Sequence, residues 1–147
     1  MRFLTPYRIA AYLLLFFVAG HTGGGMLAQK SMGPESDAVF EAMKRVHFTF
    51  NGSDSTWYGF WFGFGLTVSL FLLLSVVIAW QLDKVEPSAW PAVSVIAWAF
   101  TLCYAGVAAL SFKYFFVGPG TFSVLVVLLT AFGAFRKSKA VRYSGQR

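Results

Sequence analysis

Two histidines are the side chains of this sequence with the broadest chemistry, because an imidazole can transfer a proton near neutral pH or ligate haem iron or a metal ion. His21 begins the run His-Thr-Gly-Gly-Gly in an apolar stretch, and His47 lies in the polar segment that follows. If the fold brings the two together, they can act as axial haem ligands or as a metal pair. The simpler interpretation, which we favour, is that His21 stabilises a glycine-rich helix end by bonding a carbonyl group or water.

Aromatic residues can complete a ligand site around these histidines. Trp61 lies between Phe60 and Phe62, and Tyr104 is one of the few polar side chains of a later apolar stretch. Such residues line pockets for quinones, haem or lipid acyl chains, although they are also common in the aromatic belts of membrane proteins. The candidate ligand-binding residues are therefore His21, His47, Trp61 and Tyr104.

No set of residues in the sequence has the composition of a catalytic centre. Cys103 is the single cysteine, so the chain has neither an internal disulfide nor a paired-cysteine metal motif. A Ser/His/Asp set, a phosphate-binding loop and a pair of carboxylates are also missing. We therefore predict no catalytic residues and no metal ligands, and we favour a non-enzymatic protein over an enzyme that acts on lipid.

The distribution of charge indicates which elements position these residues. All Asp, Glu, Lys and Arg residues fall in five short patches, and the stretches between them are residues 9–29, 57–82, 87–112 and 114–135. Each stretch is about long enough to cross a hydrocarbon core of ~30 Å as a helix that rises ~1.5 Å per residue. Because a bilayer penalises a charge within a span by several kcal/mol, the pattern predicts four membrane-spanning helices.

We predict an all-α integral membrane four-helix bundle, folded as a single domain over residues 1–147. The spans are expected at about residues 6–28, 57–82, 88–116 and 121–137. The last span is placed after the helix breaker Gly118-Pro119-Gly120. The first stretch also resembles a signal peptide, since Arg2 and Arg8 precede an apolar run, but its apolar length favours a retained span.

The segment of residues 30–56 is predicted to carry an outer amphipathic helix between spans one and two. Ser36 is the expected N-cap of a helix from Asp37 to about Phe50, and Glu41 with Arg45 forms an i,i+4 pair. Asn51-Gly52 then turns the chain into span two. Apolar side chains share one face at Val39, Met43, Val46 and Phe50. Such a helix lies over the mouth of the bundle or in the lipid interface, with a docking surface for a partner as the alternative.

Small residues recur at every fourth position on spans two and three. The first stripe comprises Gly59, Gly63 and Thr67, and the second comprises Ala97, Thr101, Ala105 and Ala109. Small side chains let membrane helices approach closely, so both stripes are expected at helix-packing interfaces. We favour packing inside the chain, and packing against a second subunit is the alternative.

Counts of lysine and arginine predict the orientation. With the N-terminus inside, the cytoplasmic cations are Arg2, Arg8, Lys84, Arg136, Lys137, Lys139, Arg142 and Arg147, against Lys30, Lys44, Arg45 and Lys113 outside. Positive residues concentrate on the cytoplasmic side, so we expect both termini there. Basic clusters at membrane ends also meet anionic lipid. We therefore expect membrane lipid, and no nucleic acid, as a partner.

Two short motifs give the chain a family resemblance. With Gly63-Phe64-Gly65-Leu66 in span two, and Lys113-Tyr114-Phe115-Phe116 followed by Pro119, it resembles a group of small, uncharacterised bacterial four-span inner-membrane proteins. In overall plan it is similar to DoxX-type four-helix proteins, some of which are linked to redox membranes, but it lacks a cysteine pair. The resemblance implies a four-helix fold in a bacterial inner membrane and no established activity.

Together these patterns predict a non-enzymatic membrane protein that is an accessory or assembly subunit of a larger membrane complex, or a homo-oligomer. The lack of fixed charge deep within the spans argues against a proton relay or an ion-pair gate. The alternative function is binding of a small molecule, namely haem, quinone or lipid, at the outer mouth of the bundle.

Overall fold

The computed structural model describes residues 4–28 and 30–144, so Arg2 and Arg147 of the orientation count lie outside the described residues. The α-helices of this part are α1 (Pro6–Ala19), α2 (Pro34–Arg45), α3 (Trp57–Lys84), α4 (Trp90–Tyr114) and α5 (Val117–Ser144). A π-helix (Gly20–Leu27) continues α1, and a short 3₁₀-helix (Pro87–Ala89) precedes α4. Two strands, β1 (His47–Phe50) and β2 (Ser53–Thr56), lie between α2 and α3.

Four helical segments are long and apolar enough to cross a membrane, which confirms the all-α fold class. They are Pro6–Leu27, Trp57–Lys84, Pro87–Tyr114 and Val117–Tyr143. The first three agree closely with the predicted spans. Exclusion of charge from a bilayer is therefore enough to locate these helices from the sequence.

The fourth span is longer than predicted at both ends. Gly118-Pro119-Gly120 lies at the start of α5 instead of before it, because a proline in the first turn of a helix needs no partner for a backbone N–H. The chain breaks instead at Phe115, which has an extended backbone. At the other end α5 continues beyond Lys137 to Ser144, since lysine and arginine are good helix formers and tolerate the headgroup region.

The outer helix begins earlier and ends sooner than predicted. α2 has Pro34 at its first position, so the predicted N-cap at Ser36 is wrong. The carboxylate of Asp37 instead accepts a hydrogen bond, 3.2 Å long, from the N–H of Met32 ahead of the helix. A carboxylate in the first turn favours the positive end of the helix dipole.

The predicted ion pair of Glu41 with Arg45 is replaced by a pair one residue closer. Lys44 Nζ lies 2.9 Å from the Glu41 carboxylate at the i,i+3 spacing. The hydrogen bond to that carboxylate raises the pKa of Lys44. Both side chains are well exposed, so this pair contributes little to stability.

Residues 47–50 form a strand, where the last turn of the outer helix was predicted. β1 pairs antiparallel with β2, so that His47 lies opposite Thr56. Asn51 and Gly52 have φ angles of 52° and 82°, the positive values that a two-residue type I′ turn requires. Aromatic and β-branched residues before Asn-Gly favour a hairpin over a helix, and this local signal explains where α2 ends.

The chain folds into two compact units. The first comprises Met1–Phe17 and Leu72–Arg147, and the second comprises Val18–Phe71. The helices α1 and α3 run through both units, so the predicted single domain stays a prediction.

Part of the core of the first unit lies between α4 and α5, where many of the buried residues are small. The buried residues of α4 include Ala97, Thr101, Tyr104, Ala108 and Ser111, and those of α5 include Ser123, Val126, Thr130, Gly133 and Ala134. The hydroxyl oxygens of Thr101 and Thr130 lie 2.9 Å apart. Each is also within hydrogen-bond distance of the carbonyl four residues earlier. The two helices therefore approach closely and keep their hydroxyls paired.

The predicted stripe on span three is divided between the core and the surface. Ala97 and Thr101 are buried, whereas Ala105 and Ala109 are exposed. Each step of four residues turns roughly 40° around an α-helix, so a stripe with this spacing drifts out of an interface. The buried residues instead alternate steps of three and four, which keeps them on one face.

We expect Gly133→Ala to destabilise the first unit. A Cβ at this position would lie 2.7 Å from Cε2 of Tyr7, a ring that is only 1% exposed and packs against Trp90. Overpacking of this kind costs about 1–3 kcal/mol, so the midpoint of thermal unfolding in detergent should fall. Gly106→Ala on α4 is the matched control, because nothing lies within 4 Å of a Cβ there. Equal midpoints for the two variants would contradict the close approach of Tyr7 to α5.

Candidate functional sites around His21 and Asp83

The glycine run around His21 forms the π-helix. A π-helix has hydrogen bonds from residue i to residue i+5, is rare, and is often found at functional sites. Here the N–H of Ala28 donates to the carbonyl of Gly23 over 2.9 Å. Three consecutive glycines favour this wide turn because they restrict the backbone least. The sequence predicts a glycine-rich helix end here, and the structure gives the glycines a regular helical form.

Two side chains of the π-helix bond to α3. His21 Nε2 lies 3.0 Å from the carbonyl oxygen of Gly65, which assigns the proton to Nε2. The hydroxyl of Thr22 donates to Oγ of Ser69 over 2.8 Å. Ser69 in turn donates to the same Gly65 carbonyl over 3.3 Å. This network therefore gives partners to the imidazole and to both hydroxyls, and the carbonyl that His21 bonds belongs to α3.

Met26 packs against the same glycine of α3. A Cβ on Gly65 would collide with Cε of Met26, so the glycine makes room for this side chain. His21 and Met26 are five residues apart, and on an α-helix they would point roughly 140° away from each other. The i to i+5 geometry of the π-helix brings them to one side instead. The unusual helix is therefore what allows both side chains to reach Gly65.

The other predicted ligand-binding residues have partners of their own. His47 Nδ1 lies 2.8 Å from the carboxylate of Asp54 on the exposed hairpin. Trp61 packs edge-to-face on Phe40, with ring centroids 5.4 Å apart. Tyr104 is buried in the first unit, whereas the other three residues belong to the second. A joint role in binding haem, quinone or lipid stays a prediction.

A second polar cluster surrounds Asp83 in the first unit. The Asp83 carboxylate forms an ion pair with Arg8, 2.8 Å long, and accepts a hydrogen bond from the hydroxyl of Thr5. Lys137 donates to the backbone carbonyls of Asp83 and Val85. The first turns of α1, the last turn of α3 and the C-terminal part of α5 therefore meet at one end of this unit.

The ion pair at the centre of this cluster is largely removed from solvent. The side chains of Arg8 and Asp83 are 16% and 7% exposed, and the Arg8 guanidinium lies 5.2 Å from the Trp80 ring centroid. Among residues 4–28 and 30–144, Arg8 Nε and the Tyr7 hydroxyl are buried without a hydrogen-bond partner. The Asp83 carboxylate compensates the charge of Arg8, so removal of the carboxylate would leave Arg8 as a buried, uncompensated cation.

Sequence reasoning missed the Asp83 cluster. Arg8 and Lys137 were counted only as charges that orient the protein in the membrane. A count of cations does not reveal which of them form ion pairs or hydrogen bonds. The one available signal is that Asp83 and Glu86 are the only carboxylates between the second charge-free stretch and the C-terminus. An isolated carboxylate among many cations is a natural counterion for one of them.

Comparison with known proteins gives no relative: no protein-family model, no curated protein and no solved structure matches the chain. The resemblance to DoxX-type four-helix proteins therefore stays a prediction. Within the described residues, no three His, Cys, Asp or Glu side chains are grouped so that they can hold a metal ion.

We expect Asp83→Asn to be strongly destabilising, by about 3–5 kcal/mol, because Arg8 would keep a buried charge without a counterion. Unfolding in detergent, followed by circular dichroism, measures the loss. Asp54→Asn is the matched control, since its pair with His47 is 73% exposed on the aspartate side and should matter little. Adding Arg8→Met to Asp83→Asn should restore part of the stability. Equal losses at the two aspartates would be evidence against a buried pair.

We expect His21→Ala to cost about 0.5–1.5 kcal/mol of stability, because the variant loses the hydrogen bond to Gly65 and keeps only the one from Ser69. The same unfolding assay applies. His47→Ala is the control, since its partner Asp54 is exposed and can bond to water. No loss for His21→Ala relative to the wild type would show that the π-helix contact adds nothing to stability.

Proposed function

We propose that this chain is a non-enzymatic, multi-pass protein of the bacterial inner membrane that acts as an accessory or assembly subunit of a larger membrane complex. In this proposal both termini lie in the cytoplasm, as the counts of lysine and arginine favour. The observation that carries the subunit role is an exposed stripe of small residues on α3.

The small residues Gly59, Gly63 and Thr67 are all exposed. Nothing lies within 4 Å of a Cβ at Gly63. The hydroxyl of Thr67 donates to the Gly63 carbonyl over 2.9 Å, so it leaves no unpaired polar hydrogen on the stripe. The stripe is therefore open to its surroundings at Gly63, which supports packing against a second subunit.

The stripe has the shape that a second membrane helix fits. Gly59 and Gly63 have the spacing of the small-residue motif at which membrane helices pair. Leu70, seven residues after Gly63, continues the same face and is 67% exposed. A helix that crosses α3 can therefore approach its backbone at the glycines and pack on a large apolar side chain beyond them. Lipid chains alone would fill the glycine positions less closely than a helix.

We expect Gly63→Ile to release the partner, because a branched side chain holds the two helix backbones apart. After extraction in mild detergent, the amount of co-purified subunit should fall about tenfold, which corresponds to a loss of about 1.4 kcal/mol. Mass spectrometry of the intact complex measures this ratio. The space around Gly63 should leave the fold of the single chain unchanged.

Two controls separate loss of an interface from loss of the fold. Gly63→Ala keeps a small residue and should retain most of the partner, and Gly106→Ile makes the same large change at an exposed glycine of α4. A wild-type chain that purifies as a monomer without any partner would refute the proposal. So would full retention of the partner by Gly63→Ile.

A further inference from the structure

A shallow groove runs along one face of α5 near its C-terminal end. Its volume is about 300 Å³, and the lining residues are Phe135, Ser138, Lys139, Arg142 and Tyr143. Their spacing of three and four residues places them on one face of the helix. The two aromatic side chains are 61% and 60% exposed, so the groove has apolar ends and cations between them.

The basic residues of α5 divide between two faces. Lys137 is turned into the first unit, where it donates to backbone carbonyls at the end of α3. Lys139 and Arg142 line the groove and are exposed, and Lys139 Nζ lies 5.8 Å from the Tyr143 ring centroid. Positions 137 and 139 are roughly 200° apart around the helix, so the groove cations have no part in the Asp83 cluster.

The groove cations have no carboxylate partner among the described residues. The ion pairs of that part of the chain are Arg8–Asp83, Lys44–Glu41 and His47–Asp54. Two neighbouring cations repel, and an anion between them removes the repulsion. A phosphate group suits this position, because lysine supplies a compact charge and arginine supplies a fork of N–H donors.

The length of α5 places the groove at the level of lipid headgroups. No fixed charge occurs from Val117 to Phe135, and these about 18 steps of ~1.5 Å span about 27 Å, close to the ~30 Å hydrocarbon core. Phe135 then lies at the edge of the hydrocarbon and the cations just beyond it. A phospholipid meets both parts of the groove, whereas a free anion meets only the cations.

We propose that this groove binds an anionic glycerophospholipid, with its phosphate between Lys139 and Arg142 and an acyl chain against Phe135. The site is separate from the exposed stripe on α3. The lipid-binding proposal can therefore be tested independently of the proposed subunit role.

The test uses the full-length chain, delipidated in detergent, with phosphatidylglycerol or phosphatidylcholine added back. Native mass spectrometry measures lipid binding to the wild type and to the double variant Lys139→Gln/Arg142→Gln. We expect the double variant to bind phosphatidylglycerol about tenfold more weakly, because it loses two charge-assisted contacts. Phosphatidylcholine should bind both proteins equally weakly. Both residues are exposed, so the unfolding midpoint without lipid should not change.

Three further samples make the result specific. Lys44→Gln/Arg45→Gln removes the same charge from α2 and should bind phosphatidylglycerol like the wild type, as should the charge-preserving Lys139→Arg/Arg142→Lys. Millimolar inorganic phosphate should not compete with the lipid. Equal binding by wild type and the α5 double variant overturns the proposal. Equal weakening in the α2 variant, or full displacement by inorganic phosphate, overturns it as well.

Discussion

Polar groups inside a bilayer have no water to bond to, and this constraint explains the polar contacts within the spans. The Gly65 carbonyl accepts hydrogen bonds from the side chains of His21 and Ser69. The hydroxyl of Thr101 donates to that of Thr130, which donates to the carbonyl of Val126 in its own helix. The imidazole of His21 and the hydroxyls of Thr22, Thr101 and Thr130 therefore make contacts that link one helix to another.

The spans could be predicted because exclusion of charge acts over whole helices and produces charge-free stretches of about 20 residues or more in the sequence. The packing face could be predicted only in part. Ala97 and Thr101 belong to the interface of α4, but Ser123, Thr130 and Gly133 of α5 were overlooked, because they alternate with larger apolar residues in steps of three and four. Small residues on α3 are exposed, whereas small residues on α4 are partly buried. Residue type alone therefore does not reveal whether such a stripe packs inside the chain or lies on its surface.

The local details differ in how far they depend on distant residues. The hairpin could have been predicted, since Asn51-Gly52 after a β-rich run is a strong local signal. The π-helix brings His21 and Met26 to Gly65, far along the chain, and no local pattern in the sequence indicates that partner. The ion pair of Arg8 with Asp83 joins the first span to the end of the second, and no spacing rule relates such residues. The candidate sites were therefore less predictable than the fold.

Lys137 donates hydrogen bonds to carbonyl groups at the C-terminal end of α3, which precedes it in the chain. The last carbonyls of α3 have no N–H partner within their own helix, and Lys137 supplies one to Asp83 from 54 residues further along the chain. Because synthesis proceeds from the N-terminus, Arg8 can meet Asp83 as soon as the second span has entered the bilayer. The carbonyls of Asp83 and Val85 can accept hydrogen bonds from Lys137 only after the fourth span has been synthesised. The end of α3 is thus bonded by residues of both the first and the fourth span.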